Sequence, residues 1–192
     1  TGTGDIIADA VLYACSQDGA EAALIPSSYI NGELSSGKIT KKMVIDLFPD
    51  DLHAVTFRVT GGELRDILED CFSGDNKGAG FCQVAGLSFT YYTGGSIGTS
   101  LSNITVNGEP LDDGRAYVIA GCTQSAVSSV FSGYEAEELS TYKSLAGITW
   151  QYIEHQFPDM PEETSAESDD EYPETDSGSV QEPVSPARII IY

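Results

Sequence analysis

Apolar residues along the chain recur with two different periods, and the switches between those periods outline a mixed set of helices and strands. In residues 5–16, Ile7, Ala10, Val11 and Ala14 fall at helical spacing with Gly19 just beyond, which predicts a helix. Residues 21–25, Glu-Ala-Ala-Leu-Ile, read as a short buried strand. Thr40 is placed to cap a short helix through Leu47, which stops at Phe48-Pro49 because a residue before proline resists the helical region. In residues 53–59, Val55, Phe57 and Val59 alternate with Thr56 and Arg58, predicting a strand with one wet face. Thr60-Gly61-Gly62-Glu63 has the form of a capping box, in which hydroxyl and carboxylate each satisfy an open backbone donor. Behind it Leu64, Ile67, Leu68 and Cys71 mark the buried stripe of a helix. Further strands are predicted at 87–92, 104–106 and 117–120, and a last helix at 148–156. Asn107-Gly108 between apolar runs is a hairpin signal, since both residues tolerate positive φ. Helices and strands interleave without strict alternation and without an internal repeat, which predicts an α+β fold, a mixed β-sheet flanked by helices.

Charge divides the chain. Its 192 residues carry nine Lys and Arg against thirty Asp and Glu, a formal net charge of −21. Such a polyanion is repelled by a nucleic-acid backbone and by an anionic membrane surface, which argues against both as partners. No apolar run approaches the length of a membrane span. Ten of the acidic residues and five of the eight prolines lie between Pro158 and Pro186, with no Lys or Arg among them. Residues 158–187 therefore read as an acidic, Pro-rich flexible loop or linker, with too little apolar surface to offset ordering entropy. Calcium loops need acidic residues at fixed alternate positions around a Gly turn, and this run lacks that spacing. Residues 188–192, Arg-Ile-Ile-Ile-Tyr, read as a terminal strand returning to a domain formed by residues 1–157. The opening Thr1-Gly2-Thr3-Gly4, without an initiator Met or a signal peptide, suggests a trimmed piece of a longer protein.

Candidate chemistry is sparse. Cys15, Cys71, Cys82 and Cys122 allow three disulfide pairings. Cys71 and Cys82 flank a Gly-rich stretch and can close it, while Cys15 and Cys71 can equally be free buried helix residues. None has the Cys-x-x-Cys spacing of a zinc site. The Gly-rich stretch lacks the Lys-Ser/Thr ending of a phosphate cradle, and the serines of 125–129 have no base or elbow glycines around them.

The order of several motifs carries more information. Gly4-Asp5-Ile6-Ile7-Ala8-Asp9-Ala10 resembles the Gly-Asn-Leu-Ile-Ala-Asp-Ala opening of the C-terminal domain of the 5′-nucleotidase, UDP-sugar hydrolase and 2′,3′-cyclic-nucleotide phosphodiesterase family. Ala23-Leu24-Ile25, Gly37-Lys38-Ile39-Thr40, Val59-Thr60-Gly61-Gly62-Glu63-Leu64 and Phe81-Cys82-Gln83-Val84-Ala85-Gly86-Leu87 follow in family order. Ile104-Thr105-Val106-Asn107-Gly108-Glu109-Pro110-Leu111 and Tyr117-Val118-Ile119-Ala120 complete the series. The resemblance implies a domain that binds nucleotide beside an N-terminal metallophosphoesterase domain holding two divalent metals. It also implies an exported protein, secreted, periplasmic or at the cell surface. Two-metal hydrolysis needs clustered His, Asp and Asn ligands. This chain has only His53 and His155, and Asp51-Leu52-His53 stands as an isolated Asp-x-His match. The expectation is no catalytic residue, no metal ligand and no cofactor in this chain.

The resemblance also places the nucleotide pocket, and several of its positions differ here. The family's Asn-x-Gly-Gly-Ile-Arg segment falls on residues 26–31, with Pro26 at the Asn and Asn31 at the Arg. Asparagine offers no charged bidentate fork. The first stacking Phe falls on Asp50, with Phe48 two residues earlier, and the Asn-Asp pair falls on Cys122-Thr123. A Gly-Gly-Asp-Gly turn falls on 131–133 with their neighbours. The second stacking aromatic matches Tyr134, followed by Glu135, Glu137 and Glu138. The substrate-binding candidates are thus Tyr134, Asn31 and Phe48, with plain packing as the alternative for Tyr134. Two readings follow: an inactive substrate-side domain of a 5′-nucleotidase-like hydrolase with a degenerate pocket, or a binding or spacer module that keeps the fold only. An autonomous enzyme of another class would need a nucleophile–base pair that the sequence does not display.

Overall fold

A computed structural model describes residues 2–48, 51–72, 81–92, 100–123, 134, 137–158 and 189–191, and the elements bounded within them are four helices and nine strands. Helix α1 (Thr3–Cys15) ends in a short 3-10 turn and then Gly19, whose φ of 83° lets the chain reverse. Helix α2 (Lys41–Asp46) is capped by Thr40, whose Oγ1 accepts from the Met43 N–H at 3.3 Å. Helix α3 (Gly61–Phe72) has its capping box closed in both directions: Glu63 N–H donates to Thr60 Oγ1 at 3.2 Å, and Thr60 N–H donates to Glu63 Oε2 at 2.7 Å. Helix α4 (Leu145–Gln156) starts three residues before its apolar stripe suggests, because Ser144 Oγ accepts from the Gly147 N–H and sets the N-terminus there.

The strands build two sheets rather than one. β1 (Ala22–Pro26), β2 (His53–Thr60), β3 (Cys82–Ala85), β7 (Ala116–Cys122) and β8 (Glu137–Ser144) form a five-stranded sheet in the order β3-β1-β7-β2-β8. The β1–β7 pair is parallel and the other pairs are antiparallel, so the sheet is mixed. β4 (Leu87–Tyr92), β5 (Ser100–Val106), β6 (Glu109–Pro110) and β9 (Ile189–Ile191) form the second sheet, in which β9 runs parallel to β4. The β5–β6 turn is Asn107-Gly108 with φ of 50° and 84°, the positive values that a tight hairpin requires.

Alternate residues of the central strands feed two core layers. Leu24, Val55, Phe57, Val59, Tyr117 and Ile119 face α3 and the second sheet, where Leu64, Ile67, Leu68, Phe72 and Phe89 meet them. Ala23, Ile25, Ala54, Ala120 and Cys122 face the other way, toward Ile7 and Val11 of α1, Val44 of α2 and Ile148 and Ile153 of α4. This arrangement corrects the expectation of a wet face on β2. Thr56 is fully buried, and the strand reaches solvent only at its ends, through half-buried His53 and exposed Arg58 and Thr60, because β2 lies inside the sheet and both its faces are covered. Thr56 Oγ1 has no hydrogen-bond partner among the described residues. The acidic run beyond Pro158 up to residue 188 lies outside the described residues, as do Pro49, Asp50 and 73–80.

Two glycines hold the layers in register by close approach. Gly61 N–H donates to Arg115 O at 2.8 Å, and a Cβ on Gly61 would stand 2.1 Å from Asp112 O. Gly86, between β3 and β4, has φ of 70°, and a Cβ there would lie 2.4 Å from Glu21 O. Gly62 differs from its neighbour, since the nearest atom to its notional Cβ is 3.8 Å away. Gly61→Ala should therefore cost about 2–3 kcal/mol through backbone displacement at the start of α3. Gly62→Ala should instead stabilise by about 0.5 kcal/mol, as alanine does at an open helical position. Urea midpoints of the two variants, at unchanged m-value, check this opposite pair of signs.

Candidate functional site

The segment after β1 positions the first two candidate residues. Pro26 ends the strand buried, and the following turn (Ser27–Tyr29) is pinned to the start of β3: Ser27 N–H donates to Phe81 O at 2.8 Å and Gln83 Nε2 donates to Ser27 Oγ at 2.9 Å. The chain then passes the end of α2, where the Asn31 N–H donates to Leu47 O at 2.7 Å. Asn31 is exposed, with its side chain at the surface. Phe48, next to Leu47, is 9% exposed and packs in the layer formed with α1, α2 and α4. The structure thus brings the Asn31 backbone beside Phe48, and gives the Phe48 ring to the core.

Tyr134 lies on the other layer. Its half-buried ring packs against the core beneath α3, and its Oη donates to Asp70 Oδ2 at 2.6 Å. Burial raises the phenol pKa above the ordinary tyrosine value, and the hydrogen bond to Asp70 and the nearby Asp66 charge add to the rise. The phenol therefore stays protonated and fixed to the last turn of α3. The Asp66 and Asp70 carboxylates beside it disfavour a phosphate at the same place. Phe48 and Tyr134 belong to different core layers and do not face each other as a pair. Other pocket positions have structural duties: Cys122 is buried, and Thr123 Oγ1 accepts from the His53 N–H at 3.2 Å. Asp50, Glu135 and 131–133 lie outside the described residues.

Metal chemistry finds no cage in the described residues. Asp51 Oδ1 and His53 Nε2, at the entry to β2, are 4.0 Å apart and both reach solvent. No group of three or more His, Cys, Asp or Glu side chains converges among the described residues. A dinuclear centre does not fit the residues described.

The strongest electrostatic perturbation of a carboxylate among the described residues falls on a position that periodicity does not single out. Asp9 is half-buried on α1, and burial first, then the charge of Asp5, push its carboxyl up to about 6 from 3.8. It lies next to Tyr152 of α4, whose phenol is raised by burial and by the charge of Asp9. The Tyr13 ring, one turn along α1, stands 5.6 Å from the Tyr152 ring and 5.3 Å from that of His155. The sequence signals for Asp9 are its place in a largely apolar helical stretch and its match to the Asp of the family's opening motif.

Residues 1–128 match the family described as "5′-nucleotidase, C-terminal domain". Among solved structures, the 5′-nucleotidase precursor of Thermus thermophilus is similar with a TM-score of 0.71 and 23% identity, over 80% of this chain and 32% of that one. The NAD nucleotidase of Haemophilus influenzae gives 0.67 at 17% identity, over 80% and 30%. The sulfate thiohydrolase SoxB of Thermus thermophilus gives 0.55 at 18%, over 79% and 29%. This chain therefore spans about a third of the length of each. No curated protein matches the sequence.

The helix that opens the matched region supplies a pH test. Since the folded-state value of Asp9 is about 6 against 3.8 for a free carboxyl, the folded chain holds the extra proton between those values. Its contribution to stability is therefore fully present below pH 4 and is lost as pH rises toward and past 6. Asp9→Asn removes the titration. The variant should match the parent at pH 4 and exceed it at pH 7 by about 1 kcal/mol, the figure allowing for solvent screening of a half-exposed group. Urea unfolding at the two pH values measures the difference.

Proposed function

This chain belongs to the family of 5′-nucleotidase C-terminal domains, and we propose that it is the substrate-side domain of a 5′-nucleotidase-type hydrolase. In this reading it offers the Tyr134 ring to a nucleobase and performs no bond cleavage itself. The observation that carries the reading is the Tyr134–Asp70 hydrogen bond of 2.6 Å, which holds an aromatic ring at the position the family resemblance gives to a stacking residue. The partner is an N-terminal metallophosphoesterase domain with two divalent metals. Those metals would supply the activated water for cleaving a nucleotide phosphate ester, and this domain would hold the base end of the substrate. An exported location, secreted, periplasmic or at the cell surface, goes with that assignment. No helix among the described residues is long and apolar enough to cross a membrane.

Asn31 favours a second reading, a binding or spacer module that keeps the fold without the nucleotide. Asn31 stands exposed where the resemblance implies an arginine that meets polar groups of the nucleotide, and Asp66 and Asp70 add negative charge near Tyr134. Isothermal titration of the chain with AMP, UMP and UDP-glucose separates the readings. Saturable binding that weakens at least about tenfold in Tyr134→Ala supports the nucleotide-binding domain, the loss expected when one base–aromatic stack is removed. Flat titrations with all three ligands support the spacer. On the first reading, Asn31→Arg should tighten AMP by roughly tenfold through a charge-assisted contact while leaving adenosine unchanged.

A further inference from the structure

The functional reading leaves four buried cysteines without a role, and their surroundings are not equivalent. Cys15 ends α1 in the layer shared with α2 and α4, where burial and Asp18 push its thiol up to about 12. Cys122 ends β7 in the same layer. Cys71 and Cys82 belong to the opposite layer, at the last turn of α3 and the first residue of β3. Cys82 donates its S–H to Cys71, and that bond first, then burial and the neighbouring Cys71 and Cys122 thiols, raise the Cys82 thiol strongly.

Sheet geometry excludes Cys122 as the partner of Cys82. Cys82 is in register with Pro26 on one side of β1, and β7 lies on the other side of β1. Two interstrand steps come to about 9–10 Å, beyond the roughly 7 Å between Cα atoms that a disulfide can bridge. The two residues also project into opposite layers. Cys71 and Cys82 share a layer and a side-chain contact.

We propose that Cys71 and Cys82 form a disulfide site, closed by a disulfide oxidant of the glutathione or protein-disulfide class, that ties the end of α3 to the start of β3. Both residues are buried, and Cys71 reacts first because it sits at the end of α3, where the helix can open. The Cys71 thiolate attacks one sulfur of the acceptor disulfide, forming a mixed disulfide and releasing the other sulfur as a thiol. The Cys82 thiolate then attacks Cys71 Sγ, the intramolecular S–S bond forms, and the second acceptor sulfur leaves as a thiol. Two S–H bonds of the chain are lost, their two electrons reduce the acceptor, and their protons pass through solvent to the acceptor thiols. Because both thiols are buried, the exchange takes place as the chain folds or when the end of α3 opens locally.

The test is refolding of the full chain in oxidised glutathione, followed by alkylation under denaturing conditions and peptide mapping. The dithiothreitol-treated chain should give four alkylated cysteines, and the oxidised chain only Cys15 and Cys122, with a linked Cys71–Cys82 peptide. Oxidation should raise Tm by about 5–10 °C. The rise should persist in the Cys15→Ser/Cys122→Ser double variant and vanish in Cys71→Ser. Four free thiols after oxidative refolding would overturn the proposal, as would a linkage through Cys15 or Cys122 or a bridge that leaves Tm unchanged. None of these readouts depends on nucleotide binding, so the outcome is independent of the functional reading.

Discussion

The structure depends on one five-stranded sheet being shared between two apolar layers. Every described feature of consequence either supplies one of those layers or fixes its distance from the sheet. β1 is buried along its whole length, and consecutive residues of β1, β2 and β7 point alternately toward α3 with the second sheet and toward α1, α2 and α4. A strand in that position has no face to give to solvent. The layers also cannot adjust independently, because the same backbone carries both. Close backbone approaches set the spacing: Gly61 against Asp112 at the start of α3, and Gly86 against Glu21 at the step from the first sheet into the second.

This constraint explains which parts of the fold are legible in the sequence. Local rules are enough where the chain makes its own boundary. The Thr60–Glu63 box, the Thr40 cap and the Asn107-Gly108 turn each act within a few residues, and each forms as its pattern implies. Local rules fail where burial is decided from a distance. Thr56 looks like the solvent side of an alternating strand, yet it lies inside because β7 and β8 flank β2 and helices cover the far face. β8 has no apolar alternation to announce it, since Glu137–Ser144 is mostly polar and pairs at the sheet edge with shifted register. The second sheet is not separable from the first by pattern alone, because strand periodicity carries no information about which sheet a strand joins.

The candidate site shows the same division. Tyr134 can be picked out from its motif position, but its attachment to Asp70, 64 residues earlier in the chain, cannot. The burial of Asp9 follows from α4 packing on α1, and helix periodicity alone contains nothing of that. Phe48 illustrates the opposite limit. An aromatic residue beside an expected ligand position can be claimed entirely by the core, and a sequence motif does not distinguish a ring that packs from a ring that stacks.

Fold and chemistry are separable in this family's architecture for a physical reason. The similar structures include a 5′-nucleotidase, an NAD nucleotidase and a sulfate thiohydrolase, so the shared topology does not by itself select a substrate. The blocks that make the chain recognisable include Gly61 and Gly86, backbone positions that admit no side chain, and the alternating apolar residues of β1 and β7. Replacing any of these disturbs both layers at once. Asn31 is different: it is exposed, and only its backbone N–H serves the fold, through the Leu47 carbonyl. Its side chain can vary without cost to either layer, so the same scaffold can carry a charged arginine there or an uncharged asparagine. Stability therefore constrains the architecture tightly and the ligand hardly at all. Exposed side chains such as Asn31 are the positions at which relatives of one fold can differ in charge without disturbing the core.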